Sequence, residues 1–112
     1  TGRLFENLAA ETFARKYEEL FYWKSQQNDL EIDFVLKDDF KTKQLVQVCS
    51  DLRDEKTLER EVRALSRGQA ELKCKNLLVV NDNKDAVEKK VWFGEKLTVQ
   101  YMPMWKWLLE NN

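Results

Sequence analysis

Apolar residues in the first half of the chain follow two spacings, one typical of helices and one typical of strands. In segment 1–17 they recur every three or four residues, which predicts a first helix. Segment 30–37 alternates residue by residue, so one face of a strand should carry Glu31, Asp33 and Val35. The β-prone runs on either side of it are 20–24 and 44–50. Three consecutive strands are therefore expected after the first helix.

The second half of the chain begins with a longer helical pattern. Apolar residues recur at helical spacing through 51–73, with Asp54 or a neighbour as N-cap, and Gln69 interrupts the stripe at what should be a frayed end. The remaining predicted elements are a buried strand, a hairpin and a short helix, over 76–81, 82–102 and 103–112. The order αβββαβ with a hairpin and helix extension predicts one α/β domain over 1–112, with a mixed sheet flanked by helices.

Composition narrows the chemistry that this chain can carry out. Its 19 basic and 20 acidic residues leave a net charge of -1, so any affinity for nucleic acid must come from a local patch. The chain contains no histidine, which excludes Ser/His/Asp and Cys/His catalysis and leaves carboxylates, lysines and a hard metal ion. Cys49 and Cys74 lie in apolar runs without CxxC spacing, which indicates reduced thiols of a cytosolic protein. No apolar run approaches the length of a membrane span.

Basic residues of the second helical segment recur at intervals of three and four. At about 100° per residue such a spacing forms one stripe, on the side of the helix opposite the apolar residues. One interpretation is a solvated face balanced by neighbouring glutamates, and the other is a ridge that binds nucleic acid or a protein partner. The residues of this basic stripe are Arg53, Lys56, Arg60, Arg63 and Arg67.

Several short segments, taken in order, carry a resemblance to a known superfamily. They include GRLFENL on the first helix, LEIDFVL on the second strand, LVQVCSDL on the third and NLLVVN on the fourth. With the αβββαβ order, these segments resemble the PD-(D/E)XK restriction-endonuclease-like superfamily. More narrowly, the chain is similar to a C-terminal domain of unknown function found in prokaryotic, often archaeal, AAA-type P-loop ATPases.

The resemblance implies a metal-dependent nuclease site with part of its motif replaced. In active members a glutamate on the first helix, an aspartate on the second strand and Glu-x-Lys on the third surround one or two divalent ions. The first two match Glu6 and Asp33, whereas Gln47 and Cys49 occupy the Glu-x-Lys positions. The implied catalytic set is thus Glu6, Asp33 and a vestigial Gln47. Glu31 joins these three as a candidate ligand for Mg²⁺ or Mn²⁺, with binding expected to be weak or absent.

Three functions follow as hypotheses. The first is a catalytically degenerate nuclease-like domain at the C-terminus of a longer AAA-type ATPase, which binds nucleic acid or protein. The second is an active Mg²⁺-dependent nuclease, and the third is a purely structural docking domain. The expected partners are the N-terminal ATPase domain of the same parent protein and DNA, in the cytoplasm and without a membrane. Whether the domain is an enzyme stays open, because the Glu-x-Lys motif reads Gln47-Val48-Cys49.

Overall fold

The structure, a computed structural model, describes residues 2–16, 19–25, 30–92 and 94–111. Helices and strands follow one another in the predicted order, αβββαβ with a hairpin and a helix after it. The elements are α1 (Gly2–Lys16), β1 (Glu19–Lys24), β2 (Glu31–Asp38), β3 (Lys41–Val48), α2 (Glu55–Leu72), β4 (Leu77–Asn81), β5 (Ala86–Trp92), β6 (Glu95–Pro103) and α3 (Met104–Glu110).

The six strands form one mixed sheet in the order β1-β2-β3-β4-β6-β5. β4 runs parallel to both of its neighbours, β3 and β6, and the other pairs are antiparallel. Two apolar clusters fill the two sides of the sheet. Val62 and Leu65 of α2 belong to one cluster, and Phe13 of α1 and Trp107 of α3 belong to the other. The predicted α/β fold with helices on a mixed sheet is confirmed.

α2 begins and ends with local signals that the sequence carries. The Asp54 carboxylate accepts hydrogen bonds from the backbone N–H groups of Lys56 and Thr57, which confirms the predicted N-cap. At the other end, Lys73 adopts a left-handed conformation with φ of 53°, a common way for a helix to terminate. Between these ends, the apolar stripe is buried against the sheet.

Gly68 lets α2 lie unusually close to the sheet. A Cβ atom at this position would collide with Cδ1 of Ile32 on β2 and lie 3.2 Å from Cδ1 of Leu45 on β3. Glu61 precedes Gly68 by seven residues, which is about two helical turns and so the same side of the helix. The close approach therefore brings the Glu61 side chain towards the strands.

The strict alternation predicted for β2 is wrong. Ile32 and Val35 both lie in the cluster beneath α2, although regular alternation would place them on opposite faces. The register with β1 explains this, because Phe21 pairs with Val35 whereas Trp23 pairs with Ile32. β2 therefore carries one extra residue between these pairs, a β-bulge that contains Asp33.

Two further predictions need correction. Gln69 is buried within α2, not at a frayed end, and its amide donates to Glu95 Oε1 and to the Lys96 carbonyl, both at 3.0 Å. Pro103 closes β6 and caps α3, which begins one residue later at Met104.

Within the described residues, no helix is both long and apolar enough to cross a membrane.

Candidate functional site

Side chains replace the backbone ladder where β2 and β3 separate. Regular pairing of the two strands ends at Phe34 opposite Val46. Beyond that point the Asp33 Oδ2 atom accepts a hydrogen bond from the Val48 N–H at 2.8 Å. In the other direction, the Gln47 Oε1 atom accepts from the Asp33 N–H at 2.9 Å. The bulge in β2 thus aims Asp33 at the backbone of its neighbour.

The Gln47 carboxamide acts as an additional peptide group between three elements. Besides accepting from Asp33, it donates through Nε2 to the Glu31 carbonyl at 2.7 Å and, at a longer 3.4 Å, to the Glu61 carbonyl of α2. The side chain is fully buried, with 0% of its surface exposed. Because backbone groups take both ends of the amide, Gln47 connects β3 to β2 and α2. That Gln47 is a vestigial metal ligand stays a prediction.

A pocket of about 230 Å³ opens beside this junction. The structure brings together three of the predicted site residues there, Glu6 from α1 and Glu31 and Asp33 from β2. It adds Glu61 of α2, which sequence reasoning missed, and Arg60, which was predicted as part of the basic stripe and not as part of this site. The available signal for Glu61 was its position four residues before Leu65, on the apolar side of α2 where a charge is unusual.

Burial governs the electrostatics of the pocket. It raises the pKa of Asp33 to about 6; the hydrogen bond from Val48 opposes this rise, and Glu6 and Glu31 add to it. Burial, followed by the nearby Asp33 carboxylate, raises the pKa of Glu61 to about 8 against the opposing charge of Arg60. At pH 7 the pocket thus holds Asp33 as a carboxylate and Glu61 as a carboxylic acid. The Glu61 Oε2 atom is buried without a hydrogen-bond partner in the described structure.

Cys49 does not supply the cation that a nuclease lysine would provide. Its Sγ atom donates to the Asp51 carbonyl at 3.3 Å. Burial raises the pKa of the Cys49 thiol, and Glu61, which ionises before the thiol as pH rises, raises it further, so the sulfur stays neutral at pH 7. The cation that lines the pocket is instead Arg60, which enters from a different element.

The pocket offers the right kind of atoms for Mg²⁺ but not the right arrangement. Carboxylate oxygens are the ligands that this ion prefers. Across the described ranges, however, no group of three or more histidine, cysteine, aspartate or glutamate side chains is placed to hold a metal ion. One Asp33 oxygen and the Gln47 oxygen are already engaged by backbone N–H groups. As arranged here, the residues do not fit a divalent ion.

All five residues of the basic stripe are exposed, as expected for a ridge on the outer side of α2. Arg53 precedes the helix and forms a two-point ion pair with the Asp51 carboxylate, with both N···O distances at 3.0 Å. Arg60 borders the acidic pocket, whereas Arg63 and Arg67 line a separate groove. The stripe therefore continues from the pocket along the helix, without Arg53.

Comparison with known proteins places the chain in a family. Residues 1–107 match a family described as a domain of unknown function, DUF4143, and the chain belongs to it. An uncharacterised protein of Methanocaldococcus jannaschii is 32% identical over 114 residues, which cover 96% of this chain and 25% of that protein. The chain thus spans about a quarter of the length of this relative. No solved structure matches the chain.

Because the Gln47 amide makes buried hydrogen bonds to the backbone, we expect Gln47→Glu to destabilise the fold although it hardly changes the shape of the side chain. A carboxylate cannot donate to the Glu31 carbonyl, and it would bury a charge beside Asp33 and Glu61. We expect a loss of about 2–4 kcal/mol in the free energy of unfolding at pH 7, measured by urea denaturation.

Gln44→Glu is the matched control, because it makes the same chemical change on the same strand at an exposed hydrogen bond to Asn76. We expect that variant to lose less than about 1 kcal/mol. Equal losses in the two variants would contradict the role assigned to the buried amide.

The raised pKa of Glu61 predicts a fall in stability with rising pH. Between pH 6 and pH 8 the folded protein still holds most of the Glu61 proton, whereas the unfolded chain, with a carboxyl pKa near 4.5, has already lost it. Since the folded state binds more protons, the free energy of unfolding must fall, on the order of 2 kcal/mol across this window. Glu61→Gln should flatten the profile measured by urea denaturation at several pH values.

Glu59→Gln provides the control for the pH experiment, since Glu59 lies on the exposed side of the same helix. It should leave the slope between pH 6 and pH 8 as it is in the unmodified protein. A slope that persists in Glu61→Gln would show that another group causes it.

Proposed function

We propose that this chain is a catalytically degenerate nuclease-like domain that contributes nucleic-acid or protein contacts to a longer protein. One observation carries the proposal. At the junction where β2 and β3 separate, Asp33 is retained, but the next strand presents the neutral Gln47 amide, whose two ends are both bonded to backbone. Such a junction resembles a nuclease site in its layout but presents a neutral amide at the position where that site has a second carboxylate.

The retained features support a nuclease-like origin over an unrelated α/β domain. Glu6 on α1 and Asp33 on β2 line one pocket, as the resemblance to the PD-(D/E)XK superfamily implies. The order of helices and strands agrees with that superfamily as well. Fold alone does not define function, so the support rests on the two carboxylates and on the elements that carry them.

An active Mg²⁺-dependent nuclease is the second candidate, and Glu61 favours it. This carboxyl group lines the same pocket as Asp33 and has one buried oxygen without a partner in the described structure. It could replace the carboxylate missing from β3, with Arg60 as the local cation. That role would require the Glu61 side chain to move, because the described carboxylates do not form a metal site as they stand.

The partner in the first proposal is the rest of the parent protein. The Methanocaldococcus jannaschii relative is about four times as long as the segment that matches this chain. We take its remaining part as support for a multidomain parent, and the resemblance described above makes that parent an AAA-type ATPase of the cytoplasm. Its ATPase domain would then be the first neighbour of this domain, and DNA the second.

A cleavage assay separates the two candidates. The folded chain, incubated with labelled single-stranded and plasmid DNA in millimolar Mg²⁺ or Mn²⁺, should leave both substrates intact. The same ions should raise the melting temperature by less than about 1 °C, because a site without affinity gives no stabilisation by mass action.

Asp33→Asn and Glu61→Gln complete the design. Cleavage by the unmodified chain that disappears in both variants would overturn the degenerate assignment and establish the active nuclease. Cleavage that persists in both variants would be traced to a contaminating nuclease, which leaves the proposal standing.

A further inference from the structure

We infer that the outer side of α2 binds a single strand of nucleic acid, with its phosphates along the basic residues and a base in the adjoining groove. The inference rests on the proposed function and names its partner. Four residues form this cationic ridge, and they are spaced at three- and four-residue intervals along the helix. They are Lys56, Arg60, Arg63 and Arg67.

The ridge differs from several other basic residues in the described structure because its cations form no close ion pair. Elsewhere in the described ranges several cations pair with a carboxylate, among them Lys24, Arg53, Lys84, Lys90 and Lys106. Among the same described residues, none of the four ridge cations lies within ion-pair distance of a carboxylate. Unpaired guanidinium groups in a row are suited to successive phosphates of one strand.

A groove of about 340 Å³ adjoins the ridge and adds an aromatic surface. Arg63 and Arg67 line it together with Ser66, Ala70, the Trp92 indole and the Leu30 side chain. Glu95 also lines the groove, and its Oε1 atom accepts a hydrogen bond from the Gln69 amide. A planar base can stack on an aromatic ring while its phosphate contacts arginine, which is how proteins commonly hold single strands. An acidic peptide would use the cations but would gain less from the indole, so the groove favours a nucleic-acid strand.

The acidic pocket limits how far the nucleic-acid strand can extend along the ridge. Arg60 borders Glu31 and Asp33, whose carboxylates repel phosphate groups. A strand should therefore lie over Arg63 and Arg67 and stop at Arg60. This arrangement allows binding without cleavage, as the proposed function requires.

The test is binding of a fluorescein-labelled (dT)20 strand to the folded chain, followed by anisotropy at several salt concentrations. With two to three phosphate contacts, at Arg63, Arg67 and the limiting Arg60, the plot of log affinity against log salt should have a slope of about -1.4 to -2. Arg63→Glu/Arg67→Glu should weaken binding more than tenfold and flatten the slope by about 1.4.

The matched control is Lys89→Glu/Lys96→Glu, which changes the net charge by the same amount. Both lysines are exposed. Lys90 and Trp92 face the α2 side of β5, so alternation places Lys89 on the other face, together with Lys96, which pairs with Val91. This control should weaken binding less than threefold. Equal weakening in the two double variants would show a non-specific charge effect and overturn the inference.

Two further variants test the groove separately from the ridge. Trp92→Leu should weaken binding about five- to a hundredfold through lost stacking. Ala70→Glu tests the same groove if the Trp92 variant does not fold, because Ala70 is exposed and lines the groove. Unchanged binding in Ala70→Glu would overturn the placement of a base there.

The remaining comparisons distinguish this inference from the proposed function. Duplex DNA or thymidine monophosphate that binds as tightly as the labelled strand would overturn the single-strand assignment. No binding by the folded chain would also overturn it, yet leave the degenerate nuclease-like assignment intact. Binding accompanied by metal-dependent cleavage would support the ridge and overturn the degenerate assignment.

Discussion

The buried carboxamide of Gln47 is the interaction on which the geometry of the candidate site depends. It donates to the Glu31 carbonyl and accepts from the Asp33 N–H, so it bonds to the β2 backbone as a neighbouring strand would. Without it, β2 would have unpaired backbone groups beside a buried helix, each costing about 1–3 kcal/mol. The amide also reaches the Glu61 carbonyl, so it adds a hydrogen bond between α2 and the strands to the apolar packing that holds the helix there.

The same amide explains why the acidic pocket behaves as a proton site more than as a metal site. It keeps a neutral group where the proposed nuclease-like origin would place a carboxylate, and it engages Asp33 through the backbone. Asp33 and Glu61 then face each other in a partly buried pocket with Arg60 as the cation lining it. Burial disfavours the ionised form of Glu61, and the nearby Asp33 carboxylate adds repulsion, so the pKa of Glu61 rises to about 8.

Periodicity was sufficient to predict most of the fold, because helices and strands impose different spacings on apolar residues. The resemblance supplied Glu6 and Asp33, and strand alternation added Glu31 beside Asp33; these three residues share one pocket. Periodicity failed at the β2 bulge, since an extra residue arises from pairing with β1 and leaves no local mark in the sequence. Glu61 does carry a local mark, a charge on the apolar side of α2, but its burial depends on the close approach of α2 at Gly68, which the sequence does not reveal.

Amide hydrogen exchange followed by NMR tests the central claim most directly, because the Asp33 N–H reports on the Gln47 side chain alone. The regular ladder ends at Phe34, so without the carboxamide this N–H would have no acceptor at the junction. The account predicts that Asp33 exchanges as slowly as Leu36 in the centre of β2, and that Gln47→Leu accelerates it at least tenfold in folded protein. Rapid exchange of Asp33 in the unmodified protein would contradict the account.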